Sequence, residues 1–125
     1  MVALLHAIVL ERARHAPLGW SHAYEFYDTD LEAAYAIVDT CMASAAQSRR
    51  NLAPEVIPWP ALRALLAQTV YGRRRDSVAD RHRLAALLAH LFIPAAFERD
   101  FVIAPNDVQP LIAPAGLLRE QLCAW

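Results

Sequence analysis

A chain of 125 residues has the length of one domain, and its formal net charge of −1 with an isoelectric point near 6.5 supplies no overall field toward nucleic acid or an anionic membrane. Hydrophobic residues make up 57 %, much of it Ala, the best helix former; all twelve basic residues are Arg, a bias that GC-rich codon usage also produces. With no Lys, and with Gly only at 19, 72 and 116, the chain has no phosphate loop, which needs a Gly-rich turn and a Lys reaching the phosphates.

In chain order, Val2 to about His15 reads as a helix, apolar on most sides until Glu11 and Arg12, and hence buried against more than one neighbour. The opening MVALLHAIVL has the apolarity of a signal segment, but no basic residues precede it and Glu11-Arg12 follow without a cleavage site. It is also far shorter than the roughly 20 residues of a membrane span. Pro17 and Gly19 stop this helix. Thr29-Asp30-Leu31-Glu32 fits a capping box with Thr29 as N-cap, opening a helix whose apolar stripe runs Leu31, Ala34, Tyr35, Val38, Cys41, Met42 and Ala45. Asp39 and Gln47 fall off the stripe, and Ser48-Arg49-Arg50-Asn51 is a polar loop. Pro60 suits the first position of a third helix, with Leu62, Leu65, Leu66, Thr69 and Val70 facing the core and Gly72 as its stop. A fourth helix starts near Asp76 or Ser77, holds Asp80 in its first turn, and carries Leu84, Leu87, Leu88, Leu91 and Phe92 on one face until Pro94. An extended or irregular stretch between Phe97 and Ile103, a loop marked by Pro105, Pro110 and Pro114, and a short helix over Gly116–Trp125 complete the chain. Period-2 alternation is absent. The expectation is therefore an all-α fold, a small bundle of four to five helices forming a single domain over 1–125, without a linker or second domain.

The residues able to carry chemistry are weighed against plainer roles. His82 and His90 lie two turns apart, too far for a zinc pair, and no Cys or carboxylate completes a set with His6, His15 or His22. Cys41 and Cys123 have neither disulfide-framework nor zinc spacing. Glu25, Asp28, Asp30 and Glu32 resemble a carboxylate cluster, yet the capping box accounts for most of them. The serines have no nucleophile-elbow motif. Arg73-Arg74-Arg75 with Arg81, His82 and Arg83 place five fixed charges in eleven residues: either a solvated helix start or a docking surface for an acidic or phosphate-bearing partner. Trp20, Tyr24, Phe26, Tyr27 and Trp59 are packing or interface material, since each aromatic buries roughly 150–250 Å². The segment APLGW followed by SHAYEF then reads as a wedge that docks on the IPWP corner or on another domain.

The order of the words LLHAIVLERARHAPLGWSHAYEF, TDLEAA, RRNLAPEVIPWPALRALLAQTVYG, RLAALLAHLF, FERDF and PAGLLREQLCAW, over Leu4 to Trp125, resembles dynein heavy chains. The likeness is to the helical lid of the sixth AAA+ module preceding the C-terminal domain, and the connection ahead of IPW is similar to the cytoplasmic form. The resemblance implies a non-catalytic lid segment of an ATP-driven, minus-end-directed microtubule motor. It further implies no cofactor in this segment, ATP held by other modules, and location on the cytoplasmic cytoskeleton. Its partners would be the other ring modules and the C-terminal domain, with microtubules reached only through the parent and neither nucleic acid nor membrane bound. No catalytic or metal residue carries over, and Trp20, Tyr24, Phe26, Trp59, Arg73, Arg74 and Arg75 are the packing or interface candidates, the PLGW wedge facing ring partners. An alternative is a stand-alone helical interaction module derived from a truncated dynein copy; a small helical enzyme with a spatially assembled site is a further rival. The chain departs from the family at Arg73, where a second Gly is usual, at Ala79, where an aromatic is usual, and at Cys41, where Trp is usual. If position 73 requires positive φ, Arg would cost about 1–2 kcal/mol there.

Overall fold

The first helix, α1 (Val2–Arg14), buries Val2, Leu5, His6 and Val9, with Leu4 and Ile8 packed partly against the same core. It lies against both α2 and α4, the two neighbours that its near-continuous apolarity calls for. The computed structural model describes residues 1–48, 53–73, 76–98, 100–104 and 111–112. Arg49–Asn51, Arg74, Arg75, the Pro-marked loop and the expected helix over Gly116–Trp125 lie outside the described residues.

Helix α2 (Asp28–Ser48) buries Ala34, Val38, Met42 and Ala45, and partly buries Leu31, Tyr35 and Cys41, while Asp39 and Gln47 face solvent. The stripe is the expected one, but its start is not. The helix begins at Asp28, so Thr29 sits inside the first turn instead of capping it. The Tyr27 amide donates to the Asp30 carboxylate at 2.9 Å, and the Asp30 amide donates to the Tyr27 carbonyl at the same distance. Asp30 thus does what was expected of Glu32, and the cap lies two residues earlier. A capping-box motif gives the pattern but not its register when acids sit at 28, 30 and 32.

Helix α3 (Trp59–Leu65) has Pro60 at its second position and continues as a π-helical turn over Leu66–Val70. Leu62, Leu66 and Val70 are buried, whereas Leu65 is 41 % exposed and Thr69 faces solvent, its hydroxyl donating back to the Leu65 carbonyl at 2.7 Å. A spacing rule built on 3.6 residues per turn assigned Leu65 and Thr69 to the core, and only every fourth residue goes there. The turn closes at Gly72. A Cβ built on Gly72 would stand 1.8 Å from the Ala67 carbonyl oxygen, so the backbone approach itself demands glycine.

None of the described non-glycine residues has positive φ, Arg73 included. Glycine is therefore not required at position 73 by left-handed backbone, and the strain expected of Arg73 is absent. Gly72→Ala is expected to destabilise by more than 1 kcal/mol, because α3 or the turn must shift. Arg73→Gly is expected to give no gain, and a loss of up to about 1 kcal/mol from added unfolded-state freedom. Urea titrations of both variants check this: stabilisation by Arg73→Gly would contradict the backbone assignment.

Helix α4 (Val78–Leu91) starts where the sequence places it. Ser77 is its N-cap, its hydroxyl accepting from the Asp80 amide at 3.4 Å, and Leu84, Leu88, Leu91 and Phe92 are buried. The Arg63 guanidinium donates to the Phe92 carbonyl at 3.3 Å, satisfying one of the carbonyls left open at the C-terminal end of α4. Beyond a 3-10 turn at Pro94–Phe97, strands β1 (Val102–Ala104) and β2 (Leu111–Ile112) form a short antiparallel ladder, pairing Val102 with Ile112 and Ala104 with Leu111. Sequence periodicity did not call for any strand; a segment of two or three residues is too short to alternate visibly. The fold remains all-α, with this ribbon tied to α4 by a 2.9 Å hydrogen bond between His90 Nε2 and the Ile103 carbonyl.

Candidate functional site

The segment between α1 and α2 turns at Ala16–Pro17, a cis peptide, and runs back along α1. Gly19 is again dictated by contact: a Cβ there would stand 2.0 Å from the Arg12 carbonyl oxygen. The Arg12 guanidinium donates to the Gly19 carbonyl at 2.7 Å and lies over the Trp20 ring, 5.0 Å from its centroid. Trp20 has 0 % exposure, and its indole N–H donates to the Val9 carbonyl of α1 at 3.2 Å. The wedge thus closes on its own first helix, and Trp20 does not face outward as the family likeness led one to expect. Leu18, 88 % exposed, is the large apolar residue of this turn that points to solvent.

Immediately beyond Trp20, the chain is pinned to α4 through Asp80, a carboxylate with 0 % exposure. The Ser21 amide donates to both Asp80 oxygens at 3.0 Å, the Ser21 hydroxyl adds a third bond at 3.0 Å, and the Tyr24 hydroxyl donates at 2.8 Å. Arg83, one turn further along α4, completes the set at 2.7 Å. Burial alone would oppose ionisation of Asp80. The Ser21 amide, the Tyr24 hydroxyl, the Arg83 guanidinium and the Ser21 hydroxyl outweigh it and bring the pKa down to about 2. Every partner is a donor, so the site is built for an anion. Sequence reading saw Asp80 only as an acid in a first helical turn. The available signal was the pair Asp80–Arg83, three apart on a helix and set beside the apolar face of Leu84 and Leu88.

An aromatic row continues from this hub. Tyr24 stands edge-on to Trp20 at 6.3 Å between centroids, Phe26 follows Tyr24 at 6.5 Å, and Tyr71 follows Phe26 at 6.4 Å. Tyr71 is buried, its hydroxyl 3.1 Å from His6 Nδ1, and burial pushes its pKa upward. His6 is itself buried, and its Nε2 has no hydrogen-bond partner among the described residues. Burial lowers the His6 pKa despite the opposing fields of Asp30 and Asp28. The sign follows directly: a folded-state pKa below the unfolded value means the unfolded chain binds the extra proton, so stability is lost as pH falls below about 6.5. The urea midpoint is therefore expected to drop between pH 7 and pH 5, and His6→Gln to flatten that slope; an unchanged slope in the variant would remove His6 as its cause.

Trp59, by contrast, is fastened to other elements than the wedge. Its indole N–H donates to the Pro54 carbonyl at 2.7 Å, and its ring pairs with Phe97 at 5.8 Å. Arg73 and Arg81 are exposed, Arg83 is committed to Asp80, and Arg74 and Arg75 lie outside the described residues. The acids Glu25 and Asp30 are taken by Tyr27, whose hydroxyl donates to Glu25 and whose amide donates to Asp30. Among the described residues no three His, Cys, Asp or Glu side chains are grouped to hold a metal, and no helix is long and apolar enough to cross a membrane.

These features define a small helical packing module, in which the best-placed polar and aromatic groups fasten its own loop to its own helices. Its family is shown by sequence: the chain belongs to the dynein heavy chain AAA lid domain family, whose profile matches residues 1–122. Among similar proteins, a cytoplasmic dynein heavy chain of Caenorhabditis elegans is 41 % identical over 127 residues, and that of Drosophila melanogaster is 38 % identical over 131. The cytoplasmic dynein heavy chain of Dictyostelium discoideum is 38 % identical over 125 residues. Each alignment covers 100 % of this chain and 3 % of the relative, so the chain spans a small slice of those proteins. Cys41 is half-buried and lines a shallow groove with Ile37 and Leu65, and Ala79 is exposed.

Proposed function

We propose that this chain acts as a non-catalytic lid segment of a dynein heavy chain, inside an ATP-driven, minus-end-directed microtubule motor. The observation that carries the reading is the family match over residues 1–122. Alignment of the whole chain to a 3 % slice of cytoplasmic dynein heavy chains supports it. In this reading ATP is bound by other modules, and the segment packs against neighbouring ring modules and the C-terminal domain. It meets microtubules only through the parent, at the cytoplasmic cytoskeleton. The role is mechanical: a lid braced from within, through Asp80 and Trp20, transmits a neighbour's displacement instead of deforming under it. Leu18 supplies an outward apolar contact for such a neighbour.

The test is a chimera in which this chain replaces the matching segment of a cytoplasmic dynein heavy chain. The chimera is expected to assemble, hydrolyse ATP with microtubule stimulation and glide microtubules, while the isolated 125-residue chain turns over no nucleotide. Failure of the chimera to form a ring, or nucleotide turnover by the isolated chain that one His or Asp substitution abolishes, overturns the reading.

A further inference from the structure

We infer that a recess between the π-helical turn and the start of α4 is a docking site for an acidic segment of a partner protein. The recess is lined by Ala67, Gln68, Gly72, Arg73, Arg81 and Leu84, with Asp76 also at its edge. Arg73 and Arg81 therefore face one depression from two different elements. Both are exposed, and neither makes an ion pair with a described residue.

The acid that would ordinarily neutralise this region is unavailable to it. Asp80 is turned inward, held by Ser21, Tyr24 and Arg83, which leaves Asp76 as the acid lining the recess. Of the described charges lining the recess, Arg73 and Arg81 stand against Asp76, in a protein whose net charge is −1. The positive field is thus local, and at physiological salt it acts only within about 8 Å. Arg81, the fourth residue of α4, adds to the positive end of the helix dipole, an unfavourable placement that a bound anion relieves. Ala67 and Leu84 give the recess an apolar component, so a carboxylate with a short aliphatic stem, as in Glu, matches both parts. A peptide segment rich in Glu is the occupant this chemistry selects. The inference rests on the charge arrangement and is independent of the motor reading.

The experiment is fluorescence anisotropy of a labelled Glu-rich peptide with the purified 125-residue chain, against the same peptide with Gln for Glu. Expected is binding of the Glu peptide alone, weakening at least fivefold from 50 to 200 mM salt, as charge pairing requires. Arg73→Glu/Arg81→Glu should weaken binding at least tenfold, and the milder Arg73→Gln/Arg81→Gln several-fold with circular dichroism unchanged. Arg14→Glu on α1 should change it less than twofold. Equal binding of the Gln peptide, insensitivity to the paired Arg substitutions, or capture of a phosphopeptide or phosphatidylserine vesicles but not the Glu peptide would each overturn the inference.

Discussion

Asp80→Asn is expected to lower the unfolding free energy by about 2–3 kcal/mol, the scale of leaving part-buried donors without the charged acceptor they bond. The reason lies in the partners. Ser21 N–H, Ser21 O–H, Tyr24 O–H and Arg83 all donate to the carboxylate, and an amide places its own N–H₂ against some of those donors. The charge lost on Asp80 also leaves Arg83 without its counter-ion. The pH dependence is a second measure of the same bond set. With a folded pKa of about 2 against an ordinary 3.8, Asp80 contributes about 2 kcal/mol above pH 5, and this is lost as pH falls toward 2. Asp80→Asn should abolish that part of the acid limb while leaving the His6 slope between pH 7 and 5 in place. Hydrogen exchange locates the damage: amides of Ser21 to Phe26 are expected to lose protection before those of α2. A variant as stable as the parent at pH 7 would show that the carboxylate is not holding the loop.

The helices were legible because their information is local. The start of α4 near Ser77, the stripe on α2 and the Leu84–Leu88–Leu91 face each depend on residues within a turn or two of one another. The family likeness was legible for a similar reason, since it rests on the order of short words and not on contacts. What the sequence did not disclose is what spans distance. The Asp80 hub joins residues 59 and 56 positions apart, and His6 meets Tyr71 across 65, so no window along the chain contains either pair. The glycines mark a different limit. Gly19 and Gly72 read as helix stops, yet neither has positive φ; each is needed because another backbone carbonyl occupies the space of a Cβ. The all-round apolarity of the first helix and the aromatic wedge pointed to surface that a neighbour would cover. The large exposed apolar residues among those described are Leu18, Tyr27, Leu65 and Val78, well separated in sequence, and Trp20, Tyr71 and Phe92 are enclosed. Of the aromatics in the interhelical loop, Trp20 therefore finds full cover within the chain and Tyr24 and Phe26 partial cover, while Tyr27 stays exposed.

Trp20→Ala follows from that enclosure and is expected to cost about 3–5 kcal/mol, the range for emptying a fully buried aromatic site. The neighbours that would have to close the space are constrained. Val9 and Arg12 belong to α1, Gly19 cannot be replaced by a bulkier residue, and Tyr24 is held by Asp80. Trp20→Phe separates packing from polarity: it keeps most of the ring volume and gives up the bond to the Val9 carbonyl, so a loss of about 1–2 kcal/mol is expected. A near-zero cost for Trp20→Ala in the isolated chain would mean that the ring meets its true partner elsewhere, and would return the wedge to an outward-facing role. The two large effects are also coupled. Ser21 is the next residue after Trp20, so the hub and the ring restrain one short segment from opposite sides. If Asp80→Asn frees that segment, the indole is already loosened, and a further Trp20→Ala change removes less. The double variant should then fall short of the sum by 1 kcal/mol or more, in the range that residues in direct contact show. Strict additivity would assign the loop two independent anchors, each able to hold it without the other.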